Sequence, residues 1–239
     1  MADLNGKVVL VTGASGNIGQ GVVRAFAAAG AKLALVDLNK RDCEAVIAQM
    51  DTDVDKSRFM PFGADLSVPE AVDRLLQEVT DSLGTIDHAV HTAGGFAMGD
   101  PVHAKNISVF DKMMNLNAKL IYIVGGRLGA YMKDNNVQGS ISVVLARAGK
   151  SGAKNMAAYT ASKAAATRLM ESMAAELREF RIRVNGVSPS IVDTPPNRDA
   201  MSDANFDNWV KPQQIGDLMV FLARNEAMTG ANVEISAWV

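Results

Sequence analysis

Short aliphatic runs recur along the chain, and each is followed by a longer stretch whose apolar residues fall at helical spacing. The runs are Lys7–Thr12, Lys32–Val36, Arg58–Phe62, Ile86–His91, Ser140–Leu145, Arg183–Val187 and Asn232–Ile235. Helical patterns occupy Asn17–Ala29, Lys40–Met50, Val68–Ser82, Ser108–Lys133, Ala157–Phe180 and Pro212–Asn225. Strand alternating with helix predicts an α/β fold, a doubly wound parallel sheet with helices on both faces. The run Val8–Val11 has no polar alternation, as a strand buried on two sides requires. In such sheets ligands bind beyond the carboxyl ends of the strands, so the residues just after each run carry the chemistry.

Length and composition narrow the setting. A chain of 239 residues suits one domain, 1–239, with both cofactor and substrate functions. Hydrophobic residues make up 48%, enough for a sizeable core, and the formal charge is −2. That balance argues against a nucleic-acid partner or an anionic membrane surface. The mixed-sign stretch Asp51–Arg58 reads as solvated surface. No run approaches the ~20 apolar residues of a membrane span, and MADLNGK is no secretory leader. Cys43 is the lone cysteine, which fits a reducing cytoplasm and a plain helix position. With three His and one Cys there is no metal-ligand spacing, so no metal is expected. Met113, Met114, Met170 and Met173 fall at helical spacing and read as packing.

After the first run comes TGASGNIG, with Gly13, Gly16 and Gly19 opening a helix. A Gly-rich strand-to-helix turn brings backbone close to a pyrophosphate, and the helix N-terminus adds partial positive charge. Asp37 ends the second run, about 20 residues on, where a carboxylate holds ribose hydroxyls and repels a 2′-phosphate. NAD(H) is therefore the expected cofactor, with NADP(H) left open by Lys40 and Arg41. Asp65, after the third run, could hold the adenine ring or equally cap the next helix. Ser67 with Glu70 reads as a capping box for the next helix, leaving Asp65 free.

Tyr159 and Lys163, in YTASK, stand one turn apart on one helix face. A phenol with pKa near 10 is a sluggish acid, and a neighbouring ammonium is expected to lower that value.

The Gly-rich turn, Asp65, the AG of HTAG, Asn115, YTASK and VNGVSP together resemble a short-chain dehydrogenase/reductase over essentially the whole chain. The resemblance implies a seven-stranded Rossmann-type sheet. It also implies a homodimer or homotetramer built through Ser108–Lys133 and Ala157–Phe180. The cofactor would then lie along Gly13, Ser15, Gly16, Asn17, Ile18 and Gly19, and past Asp37 and Leu38. It would continue by Asp65 and Leu66, then Ala93 and Gly94, then Tyr159, Lys163, Pro189 and Ile191. The family's roles fall on Tyr159 as proton donor and Lys163 as ribose ligand. Asn115 would anchor a relay water or bind backbone in a helix kink.

Departures from that family are equally specific. Its catalytic serine stands thirteen residues before the tyrosine, where this chain has Ala146. Ser142 lies within a strand, and Ser151, in the following loop, is a weak substitute on the substrate side. His91 and Thr92 replace two amides, with His91 read as strand-end packing. Asn17 replaces a loop glycine, Ser190 stands at an expected glycine, and the usual DGG ending is absent. The segments Ala93–Gly99 and Asp193–Trp209 resemble the dihydropteridine reductases, a branch that also lacks the serine. Arg198 could there meet a polar substrate, with Asn197 and Trp209 forming a lid or simply packing. The resulting readings are an NADH-dependent reductase of pteridine-like or quinonoid substrates and a reductase of ketones or 3-oxoacyl groups. A third is a nucleotide-binding protein with weakened catalysis.

Overall fold

The chain was analysed as a computed structural model that describes residues 2–51 and 54–239. Met1, and Thr52 and Asp53 within the mixed-charge stretch, lie outside the described residues. The strands are β1 (Val8–Thr12), β2 (Lys32–Asp37), β3 (Phe59–Gly63), β4 (Ile86–His91), β5 (Ser140–Val144), β6 (Arg183–Pro189) and β7 (Asn232–Ile235). They form one sheet in the order β3-β2-β1-β4-β5-β6-β7, and all neighbouring pairs are parallel. The order reverses between β1 and β4, so a crevice opens there at the carboxyl edge.

Helices α1 (Asn17–Ala28), α2 (Lys40–Ala48), α3 (Pro69–Leu83), α4 (Ser108–Met113), α5 (Leu120–Asp134), α6 (Ala157–Leu177), α7 (Pro195–Ala200) and α8 (Pro212–Arg224) complete the chain. Successive strand residues point to opposite faces. Val9, Val11, Leu33 and Leu35 therefore pack on one side with Val22, Phe26, Ile215 and Met219. Leu10, Val36 and Ile141 pack on the other side with Leu75, Val124, Leu128 and Met170. Each fully buried side chain of this kind contributes about 1.5–3 kcal/mol, so the two layers are held to the sheet by its own alternation.

Three local features differ from the sequence reading. The helix expected over Ser108–Lys133 is interrupted by a π turn at Met114–Lys119, where the Leu120 N–H bonds back to Asn115 O. The widened turn lets the Asn117 amide face inward. Ser67 caps nothing: its N and Oγ both donate to Asp65 Oδ1, at 2.9 and 2.7 Å. Helix α3 instead starts on Pro69 with no side-chain cap, because proline is preset for a first turn. Helix α7 is too short for periodicity to reveal. Cys43 is buried, with Sγ 3.8 Å from Phe62 O, and burial pushes its thiol up to about 12. No helix among the described residues is long and apolar enough to cross a membrane, and none of them cluster as metal ligands.

Two buried imidazoles make the fold acid-sensitive. His88 Nδ1 meets Ser140 Oγ at 2.9 Å and His91 Nδ1 meets Thr12 Oγ1 at 2.8 Å. Burial lowers their pKa values from 6.5 to about 4 and about 3. Between pH 6.5 and 4 the unfolded chain therefore takes up protons that the folded chain refuses, and stability is lost as pH falls. Each imidazole should remove about 3 kcal/mol by pH 4. Urea unfolding of wild type and His88→Asn at pH 7 and 4.5 checks this. The variant should lose clearly less, and an equal loss would place the acid sensitivity elsewhere.

Candidate active site

The turn after β1 is built for close approach. Gly13 has φ +66, and a Cβ there would stand 2.7 Å from Ala93 N. A Cβ on Gly19 would run into Gly13 O, so α1 sits directly beneath the turn. Gly16 precedes α1 and supplies no side-chain cap, which leaves the first N–H groups of the helix to meet an anion. Thr92 N and Oγ1 donate to Thr12 O at 3.1 and 2.7 Å, stapling β4 to the turn.

Asp37 sits half-buried at the mouth of this crevice. Its Oδ2 accepts from Ser15 N and Oγ at 3.2 and 2.6 Å, and its Oδ1 accepts from Leu38 N at 2.8 Å. The carboxylate is thus held in place before any ligand arrives. Asp65 is not the free group expected from sequence. Ser67 occupies its Oδ1 and holds its pKa below the usual carboxylate range. It still borders a hollow with Gly63, Ala64 and Arg74. Leu66 is buried, as is Pro189 at the end of β6, while Ile191 and Ile18 are partly exposed. The shape fits a dinucleotide: a Cβ-free cradle, an uncapped helix end and a fixed carboxylate.

Tyr159 and Lys163, the expected acid–base pair, both lie on α6. Lys163 is buried, donates from Nζ to Val144 O at 3.1 Å, and is lowered by burial from 10.5 to about 8. Burial also pushes Tyr159 up to about 12. The expected lowering of the tyrosine by its lysine is therefore not found. The ammonium is turned onto the Val144 carbonyl, and desolvation dominates the phenol. A phenol kept protonated is the form a proton donor needs. The Phe96 ring stands edge-on to Tyr159, 4.9 Å between centroids at 84°, and is 56% exposed.

Asn115 is a correction. It is exposed on the outer face of the π turn, in a groove with Met114, Tyr122 and Arg168. Asn117 takes the inner position instead. Its Oδ1 accepts from Gly95 N at 3.0 Å, and its Nδ2 donates to Gly95 O at 2.9 Å and Ser162 Oγ at 3.0 Å. That clamp holds the residue before Phe96, so it also sets the ring against Tyr159. The signal was present: Met113, Asn117, Leu120, Val124 and Leu128 form the buried stripe, and Asn115 is out of phase with it. Phe96, in a loop without periodicity, offered no such signal.

Arg198 is a second correction. Its Nε and Nη2 donate to both oxygens of Asp193, at 2.5 and 2.8 Å, and its guanidinium stacks 4.8 Å from the Phe206 ring. Lys211 Nζ adds a third bond to Asp193 at 2.7 Å, and together these cations hold that carboxyl well below its usual range. Asn197 Nδ2 donates to Val192 O at 2.8 Å, and Trp209 is buried. These residues bind the segment to itself, and Arg198 is spent on that clamp. Ala146 is buried at the end of β5, Ser142 is buried within it, and Ser151 is exposed beyond the next turn.

Residues 7–205 match the short chain dehydrogenases, and the chain belongs to that family. It is 28% identical to 2,3-dihydro-2,3-dihydroxybenzoate dehydrogenase of Bacillus subtilis (strain 168), over 94% of this chain and 91% of that one. It is also 28% identical to 3-oxoacyl-[acyl-carrier-protein] reductase of Thermotoga maritima, over 94% and 93% of the two chains. NAD+-bound xylitol dehydrogenase superposes with TM-score 0.87 at 26% identity, covering 99% of this chain and 100% of that one. The protein is accordingly an oxidoreductase of the short-chain type that uses NAD(P).

Proposed function

We propose that this enzyme is an NADH-preferring reductase of flat, electron-poor substrates of the pteridine or quinonoid kind, with Tyr159 as proton donor. The observation that carries the reading is the setting of Tyr159. It is a protonated phenol against Phe96, on a helix face shared with Lys163, with alanine where the family's serine would stand. When bound, the nicotinamide supplies the hydride. Gly13, Gly16 and Gly19 would hold the pyrophosphate, and Asp37 the adenosine ribose. Lys163 would hold the second ribose. The fixed Asp37 carboxylate supports NADH, since a 2′-phosphate would meet it at close range.

A ketone builds negative charge on one oxygen as hydride arrives, and losing one donor there costs about 3 kcal/mol. Ala146 offers no hydroxyl, which disfavours such substrates. A quinonoid ring spreads the charge and needs one proton from Tyr159. The exposed Phe96 face gives a planar ring something to stack on. The segments Ala93–Gly99 and Asp193–Trp209 support the dihydropteridine reductase reading. Reduction of a ketone or 3-oxoacyl group is the second reading, favoured by the 3-oxoacyl reductase relative. A homodimer or homotetramer fits the outer groove of α5 and α6, where Met114, Ala118 and Leu169 lie beside Tyr122, itself 70% exposed. The buried lone thiol of Cys43 suits a reducing cytoplasm.

Oxidation of NADH and NADPH against quinonoid dihydropterin, quinones and a ketone panel is the test. Turnover of the dihydropterin with NADH is the expected result, and turnover of ketones alone would reject the reading. Ala146→Ser should raise kcat on ketones by about 10²-fold, the rate equivalent of the missing donor.

A further inference from the structure

Two departures from the family pattern, Ser190 in place of a glycine and the absent DGG ending, have no task in the chemistry above, and the fold brings them together. Ser190 follows β6, and the residues after β7 lie across it. Its N–H donates to Ile235 O and its hydroxyl to Ser236 O, both at 2.9 Å. A glycine would keep the first bond and lose the second. Ser236 is also reached from the other side: Arg147 Nη1 donates to its Oγ at 3.2 Å and to Val239 O at 2.8 Å. Lys150 pairs with Glu234 of β7, and Trp238 N donates to Asn208 O at 3.1 Å. One short segment thus joins the turn after β5, the residue after β6 and the stretch that follows.

Hydrogen bonds rather than burial hold this segment. The Trp238 side chain is 82% exposed, so the largest group it carries adds little packing. Ala237 sits at φ +48 in a tight turn closed by Val239 N on Ser236 O at 3.2 Å. A left-handed backbone costs an alanine energy and persists only where neighbours hold it. The anchors lead to the reacting groups. Arg147 is next to Ala146 and opens the turn Arg147–Lys150. That turn packs on α6 at the lysine, since a Cβ on Gly149 would stand 3.0 Å from Lys163 C. At the other end, Asn208 lies two residues from Phe206, whose carbonyl accepts from Lys211 Nζ at 3.1 Å in the Asp193 clamp. Both loops leave the carboxyl edge of neighbouring strands, β5 and β6, where ligands bind.

We propose that Arg147 and Ser190 are positioning residues that act through Ser236. The residues after β7 form a strap that ties the turn beside Ala146 and Lys163 to the segment Asp193–Trp209, and so fix how far apart these two walls of the substrate side stand. This deepens the substrate reading and rests on it, because a slot of fixed width suits a flat ring. Each exposed hydrogen bond alone contributes little. Joined through one strained turn they give way together, because freeing either wall requires the turn to leave.

The first test needs no turnover. Amide hydrogen exchange of the full chain, read by NMR, should show the Ser190 and Trp238 amides protected. Arg147 is exposed, so Arg147→Met should fold; it keeps the aliphatic stem and removes both bonds. Exchange at the two amides should then rise together by about fivefold, the contribution of one such bond. Faster exchange at Trp238 with Ser190 unmoved would make the contacts independent and overturn the strap. Ser190→Gly should also speed Trp238, whereas Ser190→Thr, which keeps the hydroxyl, should not. In turnover with NADH and quinonoid dihydropterin, or 9,10-phenanthrenequinone if the pterin is not reduced, Arg147→Met and Ser190→Gly should each raise the substrate KM about fivefold. The kcat and the NADH affinity should stay within about twofold, and Ser190→Thr should restore KM. An unchanged KM in the folded variants would reject the positioning role. If only ketones are turned over, the substrate reading fails, and the exchange result still decides the strap.

Discussion

Replacing Tyr159 by Phe should reduce turnover by about 10²–10⁴-fold, the usual contribution of a positioned general acid. The dissociation constant for NADH should change by less than about twofold. The substitution removes one oxygen from a ring already packed edge-on against Phe96, and leaves the Lys163–Val144 bond untouched. Steady-state kinetics with calorimetric NADH titration separates the two effects. A matching loss of NADH binding would make the phenol a scaffold rather than an acid. The pH profile adds a second reading. Burial pushes Tyr159 up to about 12, which keeps it protonated across the working range, and pulls Lys163 down to about 8. With Lys163 as the proposed ribose ligand, the rate of reduction should fall as pH rises through about 8, when its ammonium charge is lost.

The second large effect divides two asparagines two positions apart. Asn117→Ala should lower kcat by about 10²-fold, because it frees Gly95 and lets Phe96 and the π turn drift by the ångström that reacting geometry does not tolerate. It leaves the half-buried Gly95 N–H and C=O without their partner, so the melting temperature should fall as well. Asn115→Ala, at an exposed position, should leave turnover per folded protomer within about twofold. Measured together, the pair tests the correction directly. A silent Asn117→Ala beside a damaged Asn115→Ala would restore the assignment first read from sequence.

Much of the fold was legible because its causes are local. Unalternated runs mark strands buried on two faces, and each observed strand falls within a residue or two of the run that predicted it. The Gly-rich turn, Asp37 and the Tyr159–Lys163 pair were legible for the same reason, since each chemistry depends on short spacing. Asn117 was overlooked although the helical phase of Met113, Leu120 and Val124 marks it as buried. A π turn inside a helix leaves no trace in composition. Ser67 was misread because a capping pattern and an Asp-centred turn share residue types. Arg198 was misread because its partner, Asp193, and its stacking ring, Phe206, meet only when α7 forms.

The opening pattern of apolar runs and helical stretches determined the sheet, its carboxyl-edge crevice and the placing of Tyr159 and Lys163 on one helix, since these follow from periodicity and from neighbours a turn or less apart. The tertiary structure decided which asparagine faces inward and what leans on Tyr159. It also decided that Lys163 spends its hydrogen bond on Val144, and that His91 Nε2 is buried with no hydrogen-bond partner among the described residues. Those outcomes depend on which groups from distant strands and helices compete for the same few hydrogen bonds out of reach of water, and that competition exists only once the chain is folded.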